Sequence, residues 1–150
     1  MTNFPMILIT IAILQFTVIP LFADLNRTHA ANPHWPGHAR FHVVTQVLTT
    51  SAMGALALFF LWSGRVEREL GICIAMMLSV AALGGFFISA VSTRFYGGTV
   101  AAPGGLAATR IGKLDGNVIN FGLSAILLIV LGAEPFHCTL SCCGVSHRNG

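Results

Sequence analysis

The chain has 150 residues, of which 55% are hydrophobic and only 9% are charged. A soluble domain carries roughly 25% charged residues, and eight basic and five acidic side chains cannot cover the surface of a small one. The mean hydropathy of +0.79 agrees. The composition excludes an ordinary soluble domain and predicts an integral membrane protein. The net charge of +3 rests on too few groups to indicate a nucleic-acid partner.

Four apolar stretches are long enough to cross a bilayer, whose core of ~30 Å needs about 20 residues per helix. They cover residues 6–22, 39–62, 70–92 and 115–133. Because lipid offers no hydrogen bonds to the backbone, each is predicted to be an α-helix. The sequence thus predicts one all-α, multi-pass domain, an integral membrane four-helix bundle with both termini on the same side and a flexible tail over 134–150. A cleaved signal peptide is the alternative for the first stretch.

Basic residues are divided unevenly between the two membrane faces in this topology. The face reached by segments 23–38 and 93–114 carries Arg27, Arg40, Arg94, Arg110 and Lys113. The opposite face carries Arg65, Arg68 and Arg148. Since Lys and Arg are enriched on the cytoplasmic side of membrane proteins, this excess predicts that the first face is cytoplasmic.

The third stretch contains a row of small residues. Ala81, Gly85 and Ser89 recur at a spacing of four, which lets a neighbouring helix approach closely. We therefore predict that this row is a helix-packing face. A homo-oligomer is also compatible with such a row.

The segment 23–46 contains four of the six histidines: His29, His34, His38 and His42. If the second helix begins near Gly37, then His38 and His42 lie one turn apart on the same face, followed by Thr45 and Thr49. This pattern predicts a polar stripe that runs from the interface into the bilayer, with Gln46 beside it. Arg40 lies on another face.

Other polar groups are predicted to reach the same membrane face. Asn117 and Asn120 share one side of the fourth helix, Asp115 precedes it, and Tyr96 ends the third helix. Polar groups at membrane depth are costly, so they tend to face the bundle interior and to mark function. Two simpler roles stay open: Asp115 as a helix N-cap, and Asp24 as the end of the first helix.

The leading hypothesis is an enzyme that uses His/Asp acid–base chemistry on a lipophilic small molecule, by isomerisation, cyclisation or hydrolysis. Imidazole exchanges protons near neutral pH, and a carboxylate can orient it. The predicted catalytic residues are His42 as the inner base or acid, His38 and His29 as its partners, and Asp24 or Asp115 as the orienting carboxylate. The predicted substrate-binding residues are Asn117, Asn120, Arg40, Trp35, Tyr96 and Gln46. Trp35 also fits an interfacial aromatic belt in contact with membrane lipid.

Two alternatives stay open beside this hypothesis. No cofactor is favoured, but a divalent metal bound by His29, His34, His38 and His42 would make the protein a metal-dependent membrane enzyme. The other alternative is a non-enzymatic carrier or an accessory membrane subunit.

The strings ADLNRTHAANPHWPGHARFHVV and LDGNVINF resemble those of small four-helix membrane proteins of uncharacterised function in bacteria and fungi. In general plan the chain is also similar to the emopamil-binding/sterol-isomerase superfamily. That resemblance implies proton chemistry on a hydrophobic substrate. Those enzymes use an intramembrane Glu with His, whereas this chain has no Glu inside a predicted span.

Overall fold

A computed structural model describes residues 3–100 and 115–133, and over these residues the chain is all-helical. The helices are α1 (Phe4–Asp24), α2 (Gly37–Trp62), α3 (Arg68–Tyr96) and α4 (Gly116–Ala133). They form a bundle, as the sequence predicts. The predicted tail, 134–150, and residues 101–114 of the segment between α3 and α4 lie outside the described residues.

Three of these helices are long and apolar enough to cross a membrane, judged by length and composition: α1, α2 and α3. Each extends past its apolar stretch by a few residues. The 26 residues of α2 correspond to about 39 Å, more than the ~30 Å hydrocarbon core. The apolar part of α4, Gly116–Leu131, is shorter.

The helix ends follow from local chemistry. Pro36, which precedes α2, cannot donate a backbone hydrogen bond. After α3, Gly97 adopts a left-handed φ of 70°, and the Gly98 N–H bonds the Thr93 carbonyl at 3.0 Å, a conformation that glycine permits. At the start of α4, the Asp115 carboxylate accepts the Asn117 N–H at 2.9 Å, which confirms the N-cap alternative for Asp115.

The helices pack around α1, which contacts α2 on one side and α4 on the other, while α3 packs mainly on α2. Ile9, Ile13 and Phe16 of α1 are completely or almost completely buried. Their spacing of four and three residues places them on one face of the helix. Ring stacking between Phe86 and Phe121, with centroids 4.1 Å apart, joins α3 to α4.

The prediction that Ala81, Gly85 and Ser89 form the packing face of α3 is wrong within the described part of the chain, where all three are exposed. The buried small residues of α3 are Gly71, Ala75 and Ser79. They have the same spacing of four but lie on a different side of the helix. Periodicity identifies a row of small residues, and it carries no information on which of two such rows meets a neighbour.

Contacts between the helices show which ends lie together. Trp62 at the end of α2 donates its indole N–H to the Thr10 hydroxyl near the start of α1, at 2.9 Å. The carbonyl of Phe60, also late in α2, lies against Gly71 at the start of α3. Neighbouring helices are therefore antiparallel. The end of the bundle formed by the C-termini of α1 and α3 and the N-termini of α2 and α4 is called the polar end below.

Candidate functional site

Two asparagines organise the loop that joins α1 to α2 at the polar end. The Asn26 amide donates to the carbonyls of Phe22 and Ala23, at 2.8 and 2.9 Å. It thereby satisfies carbonyls that the last turn of a helix leaves without partners. The Asn32 amide donates to the Thr28 carbonyl at 3.2 Å, and its oxygen accepts the His34 N–H at 3.0 Å. These bonds hold the loop in one conformation.

A chain of hydrogen bonds then fixes the ring of His29. Because the Asn26 amide nitrogen faces two carbonyls, the Asn26 oxygen faces Thr28 and accepts both its N–H and its hydroxyl, at 2.8 and 2.6 Å. A hydroxyl has a single hydrogen, and here it goes to Asn26. The Thr28 oxygen lies 2.8 Å from Nδ1 of His29, so Nδ1 must be the donor in this pair. We infer that His29 carries its proton on Nδ1 and a lone pair on Nε2.

Asp24 faces the same nitrogen of His29. Its Oδ1 lies 3.9 Å from Nδ1, and the two side chains are 25% and 21% exposed. Asp24 is the last residue of α1, where the negative end of the helix dipole disfavours a carboxylate. A positive charge that forms on His29 would stabilise the Asp24 carboxylate. Trp35 packs edge-on against the imidazole, with centroids 5.2 Å apart. Among the described residues, Nε2 has no hydrogen-bond partner.

His38 and His42 form a second, separate pair in the first two turns of α2. Their Nε2 atoms lie 2.9 Å apart, and their rings are nearly perpendicular, at 81°. Phe41 lies beside both rings. The predicted one-turn spacing therefore brings the two imidazoles into direct contact.

The polar stripe that continues from this pair lies on the outer surface of the described helices. His38, His42, Thr45 and Thr49 are all exposed there, as is Gln46. The expectation that the stripe faces the bundle interior is therefore wrong for the described residues. Instead, the buried face of α2 consists of Val47, Gly54, Ala57 and Leu61.

The structure divides the predicted histidine set in two. His29 is paired with Asp24, and His38 is paired with His42. His34 is exposed, and its backbone N–H is held by Asn32. In the residues that the structure describes, His, Cys, Asp and Glu nowhere form a group of three or more that could hold a metal.

The predicted candidates on α4 contact the rest of the bundle. Asp115 caps the helix, as described above. The Asn120 amide donates to the backbone carbonyl of Gln15 in α1 at 3.1 Å, and the buried Ser124 hydroxyl lies next to the Gln15 side chain. Asn117 is partly buried. Asn120 thus joins α4 to α1 through a polar contact with the backbone of Gln15. Gln15 is the residue whose side-chain amide interrupts the first apolar stretch.

Two further candidates lie at the polar end. The Tyr96 hydroxyl donates to the Ser89 carbonyl at 2.9 Å on the exposed side of α3. Arg40 is half-buried, and its buried Nε has no hydrogen-bond partner among the described residues.

Sequence reasoning missed Asn26 and Thr28 as the residues that position His29. A signal for them exists, since Asn commonly bonds the backbone two residues further on and so forms a turn. The pattern Asn26-Arg27-Thr28 fits that rule. The role of Asn26 was not predicted because its amide bonds backbone carbonyls of α1, and no sequence motif indicates such backbone partners.

Comparison with known proteins places the chain in one family. The chain belongs to a family of unknown function, DUF6640, whose sequence profile matches residues 7–127. The matched range contains the whole loop between α1 and α2 and both histidine pairs. No curated protein and no solved structure matches the chain. The resemblance to uncharacterised small membrane proteins is thereby confirmed, and the general likeness to sterol isomerases stays a prediction.

Proposed function

We propose that this member of the family is a membrane-embedded enzyme that carries out acid–base chemistry on a lipophilic small molecule, with His29 as the proton-transfer group and Asp24 as its partner. The observation that carries the proposal is the fixed orientation of His29. Thr28 holds its Nδ1, Asp24 faces the same atom, and Nε2 is left as a base.

In this proposal His29 takes the role of base that the sequence favoured for His42. Its Nε2 would remove a proton from a carbon acid, a hydroxyl or a water molecule. The resulting imidazolium keeps its Nδ1–H on the Thr28 oxygen, and the Asp24 carboxylate stabilises the new positive charge. The same proton can return to another atom of the substrate or to a leaving group. Isomerisation, cyclisation and hydrolysis are all compatible with this sequence of steps.

The position of the pair supports a substrate that is apolar with one polar atom. Asp24 ends α1, and the loop that follows it reaches the membrane–water interface if α1 crosses the bilayer. A lipophilic body would then lie among the exposed apolar side chains of the helices, with its polar atom at His29. Arg40 and Tyr96, at the same end, are the proposed contacts for a polar head group.

The proposed topology is multi-pass. If α1, α2 and α3 all cross the bilayer and α4 returns, both termini lie on one side and the polar end lies on the other. The excess of Lys and Arg that the sequence predicts for the membrane face reached by segments 23–38 and 93–114 supports a cytoplasmic position for this end.

The proposal can be tested without knowing the substrate. Purified protein in lipid nanodiscs is incubated with a total lipid extract of the host cells in D₂O and, separately, in H₂¹⁸O, and the products are analysed by mass spectrometry. Proton transfer to carbon leaves deuterium in a lipid, and hydrolysis leaves ¹⁸O. We expect at least one labelled species with the wild type and its loss, by about 100-fold or more, with His29→Ala.

Asp24→Asn should lower the same signal, since the amide cannot stabilise the imidazolium by charge. His34→Ala is the matched control, because His34 lies in the same loop and its ring has no described contact. Labelling that is identical in wild type and His29→Ala would contradict the proposal. A stoichiometric lipophilic molecule that copurifies unchanged would favour a carrier instead.

A further inference from the structure

The contact between His38 and His42 has a chemical use that is independent of the Asp24–His29 pair. Both rings are exposed, and their Nε2 atoms lie 2.9 Å apart, within hydrogen-bond distance of each other. Both residues belong to the first two turns of α2, one turn apart, so the helix backbone places both side chains on the same face. Two imidazole nitrogens on one face and this close together can bind the same metal ion.

The separation in the hydrogen-bonded pair is compatible with one coordination geometry without further side-chain movement. With metal–nitrogen bonds of about 2.05 Å, two nitrogens 2.9 Å apart subtend an angle of about 90° at the metal. Tetrahedral coordination would need a separation of about 3.3 Å. An angle of 90° belongs to neighbouring positions of a square-planar or tetragonal site, which Cu²⁺ prefers when its ligands are nitrogen and oxygen.

We propose that His38 and His42 form a binding site for Cu²⁺, ligated through both Nε2 atoms in neighbouring positions of a tetragonal site. In the hydrogen-bonded pair one Nε2 carries a proton and the other a lone pair. Metal binding needs a lone pair on both, so the first ring moves its proton to Nδ1 and no proton is released. Within the described residues no third metal-binding side chain joins the pair, and water completes the coordination.

The surroundings of the pair suit such a site. Arg40 lies two residues from each histidine and therefore about 200° away around the helix, so its positive charge is on the other side. Phe41 lies beside both rings, with centroids 6.4 Å from His38 and 5.6 Å from His42. Counting back about 20 residues, or 30 Å, from Trp62 at the opposite end of α2 reaches His42, which places the site at the membrane–water interface.

The test is a Cu²⁺ titration, followed by electron paramagnetic resonance, of the full-length chain in detergent micelles, with Cys73, Cys138, Cys142 and Cys143 replaced by Ser because thiols reduce Cu²⁺. We expect one Cu²⁺ per chain with the hyperfine pattern of two imidazole nitrogens, bound more tightly than Zn²⁺. Removing a direct ligand should weaken binding by about tenfold or more, in both His38→Ala and His42→Ala. His34→Ala should bind Cu²⁺ like the wild type.

A second variant keeps the number of histidines and changes only their spacing. His42→Ala combined with Val43→His moves the second ring about 100° around the helix, so the two nitrogens no longer converge. Its affinity should fall to that of His42→Ala. Since both histidines are exposed, circular dichroism should show unchanged helix content in these variants. Unchanged Cu²⁺ affinity in the double replacement His38→Ala/His42→Ala, or in the shifted-spacing variant, would overturn the proposal.

Discussion

The protonation pattern of His29 depends on one hydroxyl hydrogen, that of Thr28. Thr28 donates it to Asn26 and therefore accepts from His29. Replacing Thr28 by Val keeps the shape of the side chain and removes the acceptor. The hydrogen bond is worth about 0.5–1.5 kcal/mol. We expect the ratio of the Nδ1–H to the Nε2–H tautomer of His29 to fall, by about fivefold for a loss of about 1 kcal/mol.

Ring ¹⁵N chemical shifts of histidine-labelled protein measure this population, with His29 assigned by its absence from His29→Ala spectra. Thr45→Val is the matched control, since the Thr45 hydroxyl donates to the Phe41 carbonyl of its own helix. The proposed catalytic signal should fall together with the Nδ1–H population in Thr28→Val. Unchanged His29 shifts in that variant would show that Thr28 does not set the tautomer.

At this scale the sequence predicted contacts within a helix better than contacts within a loop. The pairing of His38 with His42 follows from one-turn spacing, which a helix fixes. The pairing of His29 with Asp24 does not follow from spacing. It depends on Asn26, which turns the chain at the end of α1 by bonding two of its carbonyls. The sequence grouped Asp24 with three histidines, His29, His38 and His42, and only the folded loop selects one.

Close packing of α3 on α2 depends on Gly71. A Cβ added there would lie 2.5 Å from the Phe60 carbonyl oxygen, a backbone atom that cannot rotate away. Gly71→Ala must therefore push the two helices apart, and we expect it to lower the free energy of unfolding by about 1–3 kcal/mol. Thermal unfolding in detergent, followed by circular dichroism, measures the change.

Gly85 in the same helix gives the control. Among the described residues, nothing lies within 4 Å of a Cβ added at this position. Gly85→Ala should leave stability unchanged or raise it by up to about 1 kcal/mol, because alanine favours the helix. A loss in Gly85→Ala as large as that in Gly71→Ala would mean that the exposed row of α3 meets another molecule in the membrane.

Helix bounds were predicted from hydropathy to within a few residues, because lipid selects for apolar length. The buried faces of α2 and α3 were not predicted correctly, since hydropathy does not distinguish a side chain that faces lipid from one that faces the interior of a bundle. The polar stripe of α2 and the small-residue row of α3 were both assigned to the interior and are both exposed. In a soluble protein the apolar face would have identified the core. Here α1 is apolar on all sides, and only packing identifies its buried face.

The whole molecule has two chemically different ends. At the polar end lie the Asp24–His29 pair, the His38–His42 pair, Arg40 and Tyr96. At the other end, the described part of the chain contains the short connection between α2 and α3 and no histidine. Antiparallel packing of neighbouring helices is what collects these groups, since it brings the C-termini of α1 and α3 beside the N-termini of α2 and α4. A bundle of this plan can hold two separate sites at one interface.

The membrane topology of α2 can be tested with single cysteines in a variant whose native Cys73, Cys138, Cys142 and Cys143 are replaced by Ser. His34→Cys precedes α2 and Arg65→Cys follows it, and both positions are exposed. Because 26 helical residues exceed the thickness of the hydrocarbon core, we expect the two cysteines to lie on opposite sides. A membrane-impermeant maleimide added to sealed vesicles should label only one of them.

Asn3→Cys extends the test to the N-terminus, and it should be labelled together with Arg65→Cys if α1 and α2 both cross, as proposed. The basic excess at the polar end further predicts that His34→Cys is labelled in inside-out vesicles and protected in right-side-out ones. Vesicles permeabilised with detergent should label all three and so control for buried thiols. Labelling of His34→Cys and Arg65→Cys from the same side would mean that α2 lies along the membrane, and a site at one end of a spanning bundle would then be ruled out.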